Sequence, residues 1–174
     1  MFPEARYFSA DVVHINQENV GEYILKILID ADASPVKQEV ISLAEQYGLE
    51  VILVSSIAHY STETHPDFVK IVYVEKGADQ ADFKIVQLAR KGDIIVTQDY
   101  GLASLLLPKG CHVIHHKGQL YTSDNIDQLL HQRHFSAMQR KSGQRTKGPK
   151  PFTQEDRQAF KAFLNDFLQE IPET

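Results

Sequence analysis

A chain of 174 residues, 43% hydrophobic and 24% charged with a formal net charge of −5, has the size and composition of one globular domain and excludes long disorder. Cys111 is the only cysteine, which excludes an intramolecular disulfide framework and a four-cysteine zinc site and points to the cytosol. Glu4, Arg6 and Asp11 break up any signal peptide, and the run YILKILI is too short to span a bilayer.

The first 22 residues carry no periodicity that places them, and they read as an extension ahead of a single domain over 23–174. From Tyr23 onward five short apolar runs follow: YILKILI, LEVILV, FVKIVYV, DIIVT and CHVI. They are rich in β-branched residues and free of internal proline, as strands buried on both faces should be. Helical periods lie between them. Val36, Val40, Leu43, Ala44 and Tyr47 mark one face, with Ser34 and Pro35 suited to its N-cap and first position and Gly48 to its end. A second helix over 80–90 aligns Ala81, Ile85, Leu88 and Ala89, and a third is expected from Tyr100 to Leu107, stopped by Pro108.

Strands alternating with helices predict right-handed crossovers and an α/β, three-layer αβα fold with a mostly parallel five-stranded sheet. Two C-terminal helices complete it. Ile126, Leu129, Leu130, Ala137 and Met138 mark the first, and Phe160, Phe163, Leu164, Phe167, Leu168 and Ile171 the second. Between them SGQRTKGPKPF, with two glycines and two prolines, forbids regular structure. The connection from Ser55 to Asp67 is polar and aperiodic and contains Pro66, which predicts a loop able to border a site.

Ligands of such sheets bind beyond the carboxyl ends of the strands. That rule gathers Asp30 and Asp32 after the first strand, Asp79 and Asp82 after the third, and Asp99 after the fourth. Each has a plain alternative. Asp79 suits an N-cap with Asp82 at N3, and Asp99 suits a cap on the helix at Tyr100. With Ser34 and Pro35 taken as the cap of the first helix, Asp30 and Asp32 have no capping role. Clustered carboxylates raise one another's pKa unless a cation neutralises them, and an oxygen-only set favours Mg²⁺ or Mn²⁺ over zinc. Imidazoles support a metal poorly, since His115 and His116 point apart if the chain is extended there and His131 and His134 have no further ligand at a fixed spacing.

The charge is unevenly spread. Residues 1–130 hold 10 Lys and Arg against 18 Asp and Glu, net −8, while residues 131–174 hold 8 against 5, net +3. From His131 to Lys150 there are six basic residues and no acid. Arg145, Lys147 and Lys150 are therefore candidates for phosphate contact, with a solvated surface as the alternative.

Three stretches, IDADASPVKQEV, GADQADFKIVQLARKGDIIVTQDYGLAS and KGPKPFTQEDR, resemble the YaiI/YqxD family of bacterial proteins over roughly residues 25 to 170. That family's fold is similar to the PIN and NYN superfamily, whose members are mostly Mg²⁺- or Mn²⁺-dependent ribonucleases. The resemblance matches Asp30 to the superfamily's first-strand acid, Asp79 or Asp82 to a middle acid and Asp99 to the acid of its T-x-D motif. Asp30, Asp99 and Asp79 are accordingly the expected metal residues, with Asp30 and Asp99 direct ligands and Asp32, Asp79 and Asp82 acting through water in catalysis. Ser34 stands where the family's D-A-D-A-C-P motif has cysteine, so any chemistry of that thiol is absent here. The expected function is divalent-metal-dependent cleavage of single-stranded RNA. Two rivals stay open: a non-catalytic nucleic-acid-binding or interaction module, and a metal-dependent phosphatase acting on a small phosphate ester.

Overall fold

The first apolar run becomes β1 (Lys26–Asp30) and lies inside the sheet, not at its edge. The computed structural model describes residues 24–141 and 150–171. In it β2 (Glu50–Ser56), β3 (Val69–Val74), β4 (Ile94–Val96) and β5 (His112–His115) join β1 in parallel, in the order β3-β2-β1-β4-β5. A sixth strand, β6 (Gln119–Leu120), folds back antiparallel onto β5. Two residues are too few to display an alternation, so the sequence yields only five.

Helices α1 (Lys37–Tyr47), α2 (Gln80–Leu88), α3 (Tyr100–Leu106), α4 (Ser123–Lys141) and α5 (Gln154–Glu170) cover both faces. Alternate β1 side chains divide the core. Ile27, Ile29 and Ala31 pack with Val40 and Ala44 of α1 and with Phe160 and Leu164 of α5. Leu28 packs on the other side with Ile85 of α2, Leu102 and Leu106 of α3, and Ile126 of α4. The result is the three-layer αβα arrangement, and burial on both faces explains why the strands read as unbroken apolar runs.

Three local expectations are corrected. The first helix begins at Lys37, after a turn in which the Ser34 hydroxyl accepts the Val36 N–H at 3.4 Å, so Ser34 and Pro35 precede the helix and are not its N-cap and first residue. Pro108 does not stop α3 outright. It sits early in a 3₁₀ turn, Leu107–Lys109, where its missing N–H is not needed. In α4 only Ile126, Leu129 and Leu130 join the core, whereas Met138 is exposed. Gly48 does occupy the left-handed position, at φ 65°, that ends α1. Thr153 and Asp156 form a capping box on α5. The extension before residue 23 lies outside the described residues.

At the amino ends of the strands, Asp93 is fully buried. It accepts from Lys26 Nζ at 2.7 Å, from the Lys26 N–H at 3.2 Å and from the Arg90 N–H at 2.7 Å. A buried carboxylate persists only when paired and hydrogen-bonded, and a buried ion left without its partner is costly. Lys26→Ala should therefore lower the unfolding free energy by about 3–5 kcal/mol, seen as a lower denaturant midpoint at unchanged slope. Lys70→Ala, which breaks the largely exposed Lys70–Glu50 pair, should cost no more than about 1 kcal/mol.

Candidate carboxylate site at the sheet rim

The chain leaves β1 through α1 on one face and enters β4 from α2 on the other, so the strand order reverses between β1 and β4. A crevice opens at such a point beyond the carboxyl ends of the strands. Asp30 is the last residue of β1 and, by alternation, lies on the same face as Leu28 with α2 and α3. From the β4 side the Thr97 hydroxyl donates to Asp30 Oδ2 at 3.3 Å and accepts the Asp99 N–H at 3.0 Å. Thr97 is buried and ties the two acids together.

Asp99 caps α3 as expected. Its Oδ1 accepts the Gly101 N–H at 2.6 Å and the Leu102 N–H at 3.2 Å, and a Cβ on Gly101 would stand 3.0 Å from that oxygen. The same oxygen receives Arg133 of α4 at 3.4 Å. Asp79 and Asp82 arrive from the start of α2. Asp79 is not the side-chain cap it was expected to be: it takes the left-handed backbone, φ 62°, and its carboxylate makes no capping bond.

The acids of this face feel one another. Burial and then the charges of Asp99, Asp30 and Asp79 push Asp82 up to about 6, with Arg133 pulling the other way. Asp30 is also raised, first by burial, and its Thr97 hydrogen bond only partly offsets this and the repulsion of Asp32 and Asp99. Asp32 behaves oppositely. Burial opposes its charge, but bonds from the Ser55 hydroxyl at 2.5 Å, the Ser56 N–H at 2.9 Å and His59 Nδ1 at 3.2 Å outweigh it and hold the carboxyl below its usual range. The charges of Asp30, Asp79 and Asp99 thus all reach Asp82, while Asp32, whose charge also reaches Asp30, is held by Ser55, Ser56 and His59.

Among the described residues no three His, Cys, Asp or Glu stand close enough to enclose an ion directly. An orphan polar atom lies nearby. Among the described residues the buried Tyr121 hydroxyl has no hydrogen-bond partner, and its ionisation is opposed first by burial, then by Tyr100 and Asp99.

The family model described as "Uncharacterized BCR, YaiI/YqxD family" matches residues 28–170. The chain is 56% identical over 145 residues to a UPF0178 protein of Enterococcus faecalis, which spans 83% of this chain and 98% of the relative. It is 57% identical over 144 residues to UPF0178 proteins of Bacillus cereus and Bacillus anthracis, spanning 83% of this chain and 99% of each relative. The chain belongs to the YaiI/YqxD family. No solved structure matches it significantly.

In this YaiI/YqxD chain the sequence reading missed Thr97, Ser55, His59 and Arg133. Thr97 was legible as the first residue of T-x-D, but the others reach the rim only through tertiary folding. Lys150 is exposed just ahead of α5, and Arg145 and Lys147 lie outside the described residues. His115 and His116 do not point apart, because His116 begins the turn after β5 and their ring centroids come within 4.3 Å. Burial first, then His116, depresses His115 to about 4. No helix among the described residues is long and apolar enough to cross a membrane.

Because Asp82 is raised in the folded state, its favourable contribution is complete below the unfolded value near 3.8 and is lost as pH rises through about 6. Asp82→Asn should accordingly be more stable than the parent at pH 7.5, by about 1 kcal/mol once solvent screening is allowed for. The gap should close as pH falls from 6 to below 4, a trend that paired melting curves across that range will check.

Proposed function

We propose that the rim holds a hydrated Mg²⁺ or Mn²⁺ and that the protein hydrolyses phosphodiesters in single-stranded RNA. The observation that carries this reading is the charge imbalance: the charges of Asp30, Asp79 and Asp99 all bear on Asp82, and Arg133 is the cation that opposes them there. Asp30 and Asp99 would hold the ion, with Asp79 and Asp82 acting through its water shell and Thr97 fixing the spacing of the first two. When bound, such an ion activates a water and stabilises the charge that develops on a phosphoryl group.

The chain's own residues do the rest. Arg133, exposed over Asp99, is placed to meet a substrate phosphate, and Lys150 with Arg145 and Lys147 would add backbone contacts. Family membership is compatible with this reading but leaves the activity open. The fact that Asp99 is already engaged as a helix cap favours, as the second reading, a binding module that keeps the acids without turnover.

Millimolar Mn²⁺ should raise the melting temperature, because binding to the native state alone adds about 2.7 kcal/mol at a hundredfold excess over Kd. Asp30→Asn should abolish that rise and Mn²⁺-dependent cleavage of a single-stranded RNA together. A melting curve indifferent to Mn²⁺ would overturn the metal site, and stabilisation without cleavage would leave the binding module. Lys147→Ala with Lys150→Ala should flatten the slope of log K for RNA against log salt by about 1.4, at about 0.7 per lost contact, while turnover of a small phosphate ester stays unchanged. Loss of ester turnover in that variant, or an unaltered salt slope, would remove the basic segment from the account.

A further inference from the structure

The loop that follows β2 does not simply cross to β3. It rises from Ser56 into a 3₁₀ turn, Ile57–His59, and then returns to the opposite end of the sheet, where the Phe68 carbonyl accepts the Val51 N–H at 2.9 Å. Between this returning segment, the start of α1 and the sheet lies a cavity of about 70 Å³. Its floor is apolar, built from Leu53 and Ile71 of the sheet and Ile41 of α1. Its walls are polar: Lys37 and Gln38 open α1, and His59, Glu63 and His65 come from the loop. Ala31 lines it as well. Adjacent strand residues face opposite sides, so this cavity and the Asp30 crevice share one rim on opposite faces of the sheet.

We propose that this cavity is a binding site for a phosphate group. Among the described residues, the side chains of Lys37, Gln38 and His65 make no hydrogen bond or ion pair with the protein, although all three border one enclosure. The fourth group is held in place. Asp32 Oδ1 takes the His59 Nδ1 hydrogen at 3.2 Å, and the Asp32 carboxylate is itself fixed by the Ser55 hydroxyl and the Ser56 N–H. His59 Nε2 is then the ring atom left for a ligand. It can accept from a hydrogen-phosphate hydroxyl or, as imidazolium, donate to a phosphate oxygen.

Size and charge select the ligand class. A cavity near 70 Å³ has room for about two waters at roughly 30 Å³ each and is well short of the about 150 Å³ that admits benzene. Its inner part is the size of one tetrahedral oxyanion, and its mouth opens to solvent. Lys37 supplies a full positive charge, while the amide and imidazoles supply donors without requiring a fixed metal geometry. The amino end of α1, which has no side-chain cap, adds its partial positive charge to the same opening. Glu63 works against an anion, and that gives the inference a sharp test. The phosphate could be free or could be the terminal group of a strand lying over the rim. The site itself does not depend on a metal at Asp30.

The full chain is titrated with inorganic phosphate by calorimetry at constant ionic strength. Saturable binding is expected, with Lys37→Ala plus His65→Ala weakening it by about tenfold or more, the scale of a lost charge-assisted hydrogen bond. Neither side chain makes a hydrogen bond or ion pair among the described residues, so the variant's melting temperature without phosphate should stay close to the parent's. Glu63→Gln should tighten binding severalfold, and Asp30→Asn should leave it unchanged even if it abolishes any response to Mn²⁺. A 5′-phosphorylated short RNA that outcompetes its 5′-hydroxyl counterpart, with the advantage lost in the double variant, would identify the source as a strand end. Saturable binding of phosphate with equal binding of the two RNAs would identify free phosphate. Absence of saturable heat, or parental affinity in the double variant, overturns the proposal.

Discussion

The pairing of β1 with β4 is the constraint on which the rest of the molecule depends. These strands lie far apart in sequence, and their register, Ile27 with Ile94, Leu28 with Ile95 and Ile29 with Val96, is held by polar contacts at both ends. At the amino end Lys26 meets buried Asp93, and at the carboxyl end Asp30 meets Thr97. A slip by one residue would turn every β1 side chain to the wrong face and break both contacts at once. The costly ion pair beneath the sheet thus secures the spacing of the acids above it.

Two carboxylates only two residues apart illustrate how environment divides labour. Asp30 sits partly buried among other acids and is raised, while Asp32 collects three donors and is lowered. Opposite shifts in neighbouring acids mark different roles. Asp32 spends its charge on the loop, holding Ser55, Ser56 and His59 in one arrangement. Asp30 and Asp82 keep theirs at a cost to stability, which is the usual signature of groups retained for chemistry.

Most of the fold was legible in the sequence, for a physical reason. Strands buried on both faces and amphipathic helices leave periodic signals that survive without tertiary information, as the β1 run and the Val36 to Tyr47 stripe do. What failed was local. The start of α1 was misplaced by two residues because Ser34 and Pro35 form a turn with the same residue preferences as a cap. The sixth strand carries no pattern at all. At the site the acids were readable because they follow strands, but Arg133 comes from a helix whose outer half is exposed, and His59 from a loop with no period. Nothing in their local sequence says which rim they reach.

The uneven charge of the chain gains meaning once α4 is placed. An acidic body carrying −8 over residues 1–130 repels any polyphosphate, which could approach only where positive charge is local. The acid-free stretch that begins at His131 starts on α4, whose first half packs through Ile126, Leu129 and Leu130 beside α3. That packing fixes the direction of the helix, and one turn later it delivers Arg133 to Asp99. On the other face Lys37 stands at the start of α1, beside the His59 that Asp32 holds. Each face of the rim therefore pairs carboxylate with cation. The face bearing Asp30 gathers acids with Arg133 beside them, whereas the face bearing Ala31 sets Lys37 and two imidazoles beside the carboxylates of Asp32 and Glu63.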